Sequence, residues 1–380
     1  MNKKLSIITA VLGITALLGV VAIIGQAHLR DNKALDKISL DAKAAKFVKK
    51  NPVKAMIYGL WVNGQPVSIN ALGESMTQVP ANTKMHVRIG GITEPMLTTL
   101  LMQLVDNKQV ALDDSIAKWF PNLPNANQVT LHMLANGTSG YPDYVYNETF
   151  MDKELSEPFK HWTSNELIDY AMEKEPLFEP GSNQHYSHTD YVLLGEIISQ
   201  IQKQPIAQIF EEMIFRKSEM HNTAFNLTPE IPSPVLHAFS QDRKIYEDST
   251  FWDPSWTSTS GAITSTIGDL GKWGQDFMEG DFLTPAANAQ LRAPDTVGKG
   301  NNKPDLYFAM GFGVANHWLI QNPSFGGYSG IFAILPEKQI VFVAFNTQQE
   351  SDKDDVNYSQ VFWQQIASNL APEYPLPTME

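Results

Sequence analysis

Val87-Arg88-Ile89-Gly90-Gly91-Ile92-Thr93-Glu94-Pro95 opens the stretch that decides the fold, and Met96, Leu97, Leu100, Leu101, Leu104 and Val105 continue it. Those apolar positions recur with the helical period, so the spacing predicts a long buried helix from about Ile92 to Val105. Pro95 fits only in its first turn, where a missing N–H costs no hydrogen bond. Before this helix, Ala55 to Val62 and Pro66 to Leu72 read as strands around Asn63-Gly64, a strong hairpin signal. After it, Leu112 to Phe282 reads as helical segments joined by Pro/Gly-rich loops, without a repeat of fixed period. Ile331 to Leu335 and Ile340 to Phe345 flank Pro336-Glu337-Lys338-Gln339 as a second hairpin, and a helix follows from about Tyr358 to Leu370. Strands that bracket a helical middle imply an α+β fold, an antiparallel sheet flanked by helices with an inserted helical region, rather than alternating βαβ units. No Gly-x-Gly-x-x-Gly or Walker sequence occurs.

Composition narrows the function classes. The 380 residues are 43% hydrophobic and 18% charged, enough for a large core and incompatible with disorder. With no cysteine, thiolate nucleophiles, disulfides and sulfur-ligated zinc are excluded. The net charge of −13 is split: residues 1–50 hold nine Lys/Arg against three Asp, while the remainder holds nineteen against thirty-eight acidic residues. That acidic body repels nucleic acid. Residues 1–29 read as a signal anchor or signal peptide. Lys3 and Lys4 precede an apolar run of 21 residues, Leu5 to Gly25, long enough to cross a bilayer, and Gly25 and Ala27 supply the small residues of a cleavage site. Arg30, Lys33, Lys37 and Lys43 on the far flank argue for a cytoplasmic position of that flank. Residues 30–50 read as a basic helical linker with Leu35, Ile38, Ala42 and Ala45 on one stripe, 51–372 as the main domain and 373–380 as a tail.

Several segments in order carry a resemblance to a known family along nearly all of 55–370. They are the Val87–Pro95 run with its helix, Leu112-Asp113-Asp114, Asn136-Gly137-Thr138-Ser139-Gly140-Tyr141-Pro142-Asp143, Tyr186-Ser187-His188-Thr189-Asp190-Tyr191, and Ser260-Gly261-Ala262-Ile263-Thr264-Ser265-Thr266. Together they resemble the serine β-lactamase and penicillin-binding-protein-like hydrolases, which implies a β-lactamase/transpeptidase-like fold. It also implies a location in the cell envelope, with the main domain facing the periplasm or exterior, and this outweighs the flanking charges.

The family's chemistry needs a serine at the start of a helix and a lysine one turn on, because i and i+3 share a face and the amine can take the hydroxyl proton. Here Gly91 and Glu94 stand at those positions, so neither the nucleophile nor its base is present. Tyr186 matches the second motif, but its asparagine is His188. The third motif aligns with Ser324-Phe325-Gly326, followed by Gly327, and lacks the family's cation. Gly91, Ser324, Gly326 and Gly327 are therefore candidate substrate-binding residues, and Tyr186, Glu94 and His188 the candidate catalytic ones. The bland reading of Glu94 is a carboxylate at a helix N-terminus, and the sharp one a base acting on water.

A second Ser-x-x-Lys, Ser115-Ile116-Ala117-Lys118, falls where the resemblance has a surface connection, and Ser139 and Ser329 sit beside glycines in turns. Trp119, Trp162, Trp273 and Trp318 read as core, whereas Trp252, Trp256 and Tyr328 flank segments that resemble pocket walls. No metal site or cofactor is expected. Three functions follow as expectations: a non-acylating binder of a small-molecule, peptide, glycan-like or ester-like ligand, or of a protein partner; an esterase-, peptidase- or β-lactamase-like hydrolase using Glu94, Tyr186 and His188 on water or a substitute serine; and an envelope scaffold. The N-terminal apolar segment supplies the membrane contact.

Overall fold

The computed structural model describes residues 37–351 and 356–377. The first hairpin joins strands Val53–Val62 and Gln65–Met76. Asn63 and Gly64 turn it at φ 51° and 70°, the left-handed conformation that a two-residue hairpin loop demands. The second joins Tyr328–Leu335 and Ile340–Gln348. The two hairpins zip together antiparallel, with Ile57 opposite Phe345 and Tyr58 opposite Ala344, so the two ends of the domain close one sheet. This nine-stranded sheet continues past Tyr328–Leu335 through Trp318–Gln321 and Gly313–Ala315 to Leu306–Phe308, while the short strand Ser324–Phe325 pairs with Tyr328–Leu335. The antiparallel α+β architecture read from the sequence is the one observed.

The central strands are buried along nearly their whole length because both faces of the sheet are covered. Side chains alternate, so Ile57, Phe332, Val343 and Phe345 face the larger core, while Tyr58, Leu60, Ile331, Phe342 and Ala344 face a second one. On the first face lies helix Ile267–Glu279. It approaches closely because Gly271 and Gly274 carry no side chain: a Cβ there would stand 2.4 Å from the Trp61 ring and 2.5 Å from Val341 Cγ1. The helix predicted from Ile92 runs from Thr93 to Asp106 through this core, with Met96, Leu97, Leu100 and Leu101 fully buried. A small antiparallel sheet of Val87–Arg88, Ile263–Ser265 and Ala224–Phe225 anchors its approach.

On the second face pack helices Lys37–Lys50 and Tyr358–Leu370. This corrects the linker reading of 30–50, since from Lys37 onward the segment belongs to the packed domain and the boundary at 51 falls too late. The stripe is corrected as well. Ala42 and Ala45 are exposed, whereas Leu40, Ala44 and Phe47 are buried. The sheet selects that side, because Phe47 reaches Phe362 (ring centroids 5.2 Å apart) and Asp41 accepts hydrogen bonds from Tyr58 Oη (2.7 Å) and Ser68 Oγ (2.6 Å).

The described part of the 373–380 tail is docked too: Tyr374 O accepts from Trp318 Nε1 (3.0 Å) and Pro375 O from Asn316 Nδ2 (2.8 Å). The 1–29 segment with its apolar run lies outside the described residues. Among those described, no helix is long and apolar enough to cross a membrane.

Candidate active-site pocket

The pocket forms where strand Val87–Arg88 turns into helix Thr93–Asp106. Gly90 makes the turn at φ 53°, and a Cβ there would stand 2.8 Å from Pro323 Cβ and 3.1 Å from the Phe325 ring. A glycine is thus required both by conformation and by the close approach of the Ser324–Phe325 strand. Gly91 follows, half-exposed. A side chain on it would begin 2.9 Å from Gln321 Oε1 and 3.5 Å from Glu94 Oε1.

Glu94 occupies the first turn of the helix, where the N-terminal dipole favours negative charge. Burial outweighs that. The residue is 1% exposed, and desolvation pushes its carboxyl well above the usual range. Two hydrogen bonds pull in the opposite direction, from Tyr186 Oη to Oε1 (2.5 Å) and from Gln321 Nε2 to Oε2 (3.1 Å), while the charge of Asp143 adds to the rise. Gln321 Nε2 also donates to Gly311 O (2.6 Å), which fixes the amide's orientation. Both carboxyl oxygens are therefore engaged within the protein. Desolvation, and then Glu94 itself, push the Tyr186 phenol well above its ordinary range. A buried carboxyl held from both sides by a phenol and an amide is the result.

His188 stands at the first position of helix His188–Gln202. Its Nδ1 lies 2.8 Å from Asp143 Oδ2, and the Asp143 side chain is fully buried and also accepts from Val145 N through Oδ1 (3.2 Å). A ring that donates from Nδ1 to this carboxyl turns Nε2 to its other side, and no partner of Nε2 is found among the described residues. The ring packs edge-on to Tyr186 (centroids 4.9 Å) and near Trp256 (6.3 Å), and Trp256 meets the Phe325 ring at 5.9 Å. Gly91, Tyr186, His188, Trp256, Ser324 and Phe325 are all partly exposed, so these residues form an accessible wall. The loop ending in Gly261 closes the other side, since a Cβ at Gly261 would be 3.4 Å from Gly90 Cα. Within it Ser258 is held at φ 42° and ψ −133°, a strained conformation for a residue with a side chain.

The residues singled out in the sequence are thus distributed as follows. Glu94, Tyr186, His188 and Gly91 come together. Ser324 Oγ faces Ser329 Oγ (3.4 Å) across the hairpin turn. Gly326 and Gly327 hold that turn in place, the first by accepting from Ser249 Oγ (2.8 Å), the second by packing on the backbone of Phe239. Ser115 Oγ donates to Ala126 O (2.7 Å) and caps Ala117 N, and the exposed Lys118 pairs with Asp114, so this Ser-x-x-Lys is a helix-start motif. Ser139 Oγ donates to buried Asp190 (2.6 Å). Trp256 lines the pocket, whereas Tyr328 is buried with its hydroxyl on Leu236 O.

Sequence reasoning missed Gln321 and the role of Asp143. Neither carries a local signal, because each acts through a partner remote in the chain, 227 and 45 residues away respectively.

A family model described as Beta-lactamase matches residues 40–361. The D-alanyl-D-alanine-carboxypeptidase/endopeptidase AmpH of Escherichia coli (strain K12) is 26% identical over 283 residues, 67% of this chain and 69% of the relative. Penicillin-binding protein 4* of Bacillus subtilis (strain 168) is 23% identical over 265 residues, 64% of this chain and 54% of the relative. Among solved structures, a D-stereospecific amidohydrolase from Streptomyces sp. superposes with a TM-score of 0.77 at 21% identity, covering 88% of this chain and 98% of that one. The D-amino acid amidase from Ochrobactrum anthropi SV3, complexed with L-phenylalanine amide, gives 0.74 at 22% identity, covering 88% and 96%. At these identities the structural matches establish the fold.

Proposed function

The chain belongs to the Beta-lactamase family of serine-hydrolase fold, and from the residues at its pocket we propose that it binds a peptide-, glycan- or ester-like ligand there without forming an acyl-enzyme. One observation carries this reading: a partly exposed Gly91 stands at the nucleophile position, above a Glu94 whose two oxygens each accept a hydrogen bond, one from Tyr186 and one from Gln321. A glycine has no atom to acylate, and the carboxyl beneath it cannot act as the amine does. In serine hydrolases, loss of the nucleophile or its base costs on the order of 10⁶ in kcat, roughly 8 kcal/mol of transition-state stabilisation. The partly exposed rings of Tyr186, His188, Trp256 and Phe325 supply a wall for such a ligand. The named activities of the relatives, on D-alanyl-D-alanine and D-amino acid amides, point to a ligand of D-configured amide chemistry, and we place the domain at the cell envelope on the same ground.

A second reading draws on His188. Its Nδ1 is backed by a buried carboxylate and its Nε2 is available, the arrangement of a general base that would act directly on water.

The test is reaction of the full-length protein with a fluorescent penicillin and a fluorophosphonate, followed by mass spectrometry. No adduct is expected. Labelling should return in a Gly91→Ser/Glu94→Lys/Gln321→Ala variant, in which the third change clears the amide donor that would face the new lysine. An adduct mapped to a serine of the unaltered protein overturns the proposal. Turnover of D-phenylalanine amide without adduct, lost in His188→Ala, would establish the second reading in its place.

A further inference from the structure

Resting on the reading of Gly91 as the vacated nucleophile position, this inference concerns what fills the space left there. Two oxygens flank Gly91, Gln321 Oε1 at 2.9 Å and Glu94 Oε1 at 3.5 Å from the point where a Cβ on that residue would begin. Gln321 is 7% exposed, and its Nε2 is committed to Gly311 O and Glu94 Oε2, so turning the amide over would set oxygen against oxygen. Among the described residues no group donates to Gln321 Oε1. Glu94 Oε1 accepts one hydrogen bond, from Tyr186, and a carboxyl oxygen has room for a second. The notch therefore presents acceptors and lacks a donor. The groups that act on Glu94 are Tyr186, Gln321 and Asp143, none of them cationic. The Tyr186 ring reaches Glu94 through its hydroxyl, the Phe325 ring lies 3.1 Å from the point where a Gly90 Cβ would begin and Trp256 packs on Phe325, and aromatic rings of this kind attract a cation.

We propose that the notch at Gly91 seats a primary ammonium group of the ligand, with its N–H donors directed at Gln321 Oε1 and Glu94 Oε1 and the aromatic wall beside it. A cation there compensates the burial of the Glu94 carboxyl. A carboxylate in the same place would meet two acceptor oxygens and be repelled, so the ligand this pocket selects carries a free amine.

Calorimetric titration of the full-length protein at pH 6.5 tests this, with three probes of similar size: D-phenylalanine amide (ammonium), 3-phenylpropanamide (the same without the amine) and N-acetyl-D-phenylalanine (anionic). An α-amino group is largely protonated at that pH. The amine-bearing probe should bind at least about tenfold more tightly than the other two. Glu94→Gln should bring the three to within about threefold. Gly91→Ala, which fills the notch at a half-exposed site, should weaken the amine alone and serves as the second variant if Glu94→Gln does not fold. Equal affinities, no binding of any probe, or a preference that survives both variants would overturn the ammonium seat. A serine adduct found on the same protein by mass spectrometry would instead overturn the noncovalent reading beneath it, so the two failures are separable.

Discussion

Replacing Phe47 by alanine tests whether the N-terminal helix is a structural layer or a tether. Phe47 is 5% exposed, and its ring meets Phe362 at 5.2 Å and Tyr358 at 6.4 Å on the back of the sheet. Truncating a core phenylalanine costs about 3–5 kcal/mol. The aromatic contacts fall within that figure, and the position at the margin of the second core argues for its lower end, about 3 kcal/mol. For a domain of this size each kcal/mol moves the melting temperature by about 2 °C, so the midpoint should fall by about 6 °C. Ala45→Lys is the matched control: it lies on the stripe that sequence periodicity selected, yet its side chain is exposed, and it should change the midpoint by less than about 1 °C. Thermal unfolding of both variants, followed by far-UV circular dichroism, reads the difference. If Phe47→Ala melts with the unaltered protein, or if Ala45→Lys is the damaging change, the assignment of the buried face is wrong and the helix is the tether its composition suggested.

Further outcomes follow from other residues. Glu154 is 7% exposed, and burial, helped by Asp242 and opposed by Arg243, pushes its carboxyl up to about 7. The folded state holds this proton longer than the unfolded one, so stability present below about pH 4.5 is lost as pH rises towards 7. Glu154→Gln should accordingly be more stable than the parent at pH 8, by up to roughly 3 kcal/mol, and equal to it at pH 4, as measured by urea denaturation. Gly195→Ala would bring a methyl within 2.4 Å of Thr259, whose hydroxyl donates to Tyr191 O, and should destabilise by about 1–3 kcal/mol in the same assay. Ser115→Ala should lose about 1 kcal/mol with the cap on Ala117 and leave every probe-labelling result unchanged.

Much of this architecture is readable from periodicity. Both hairpins and the helices starting near Ile92 and Tyr358 were expected within a few residues, because each combines a strong apolar period with a turn or cap signal. The helix Lys37–Lys50 was legible as a helix but not as a layer. Its small and apolar residues define two competing stripes, and only the sheet face at Tyr58 and Phe342 selects the side bearing Phe47. The pocket was legible where it departs from a familiar pattern, at Gly91, Glu94 and His188. What could not be read were the partners. Gln321 is an ordinary strand-end glutamine and Asp143 an ordinary turn aspartate until folding sets one against Glu94 and the other against His188.

Gln321 also bears on how this pocket could change through descent. A serine placed at position 91 alone would crowd Gln321 Oε1, and a lysine at position 94 alone would set its ammonium against Gln321 Nε2. Removing Gln321 alone would strip Gly311 O and Glu94 of their donor. Each single change at these three positions therefore disturbs a coupled buried network, and the changes suit one another only in combination. Such mutual dependence works as a ratchet: substitutions at positions 91, 94 and 321 constrain one another, so this corner of the fold changes as a unit or not at all.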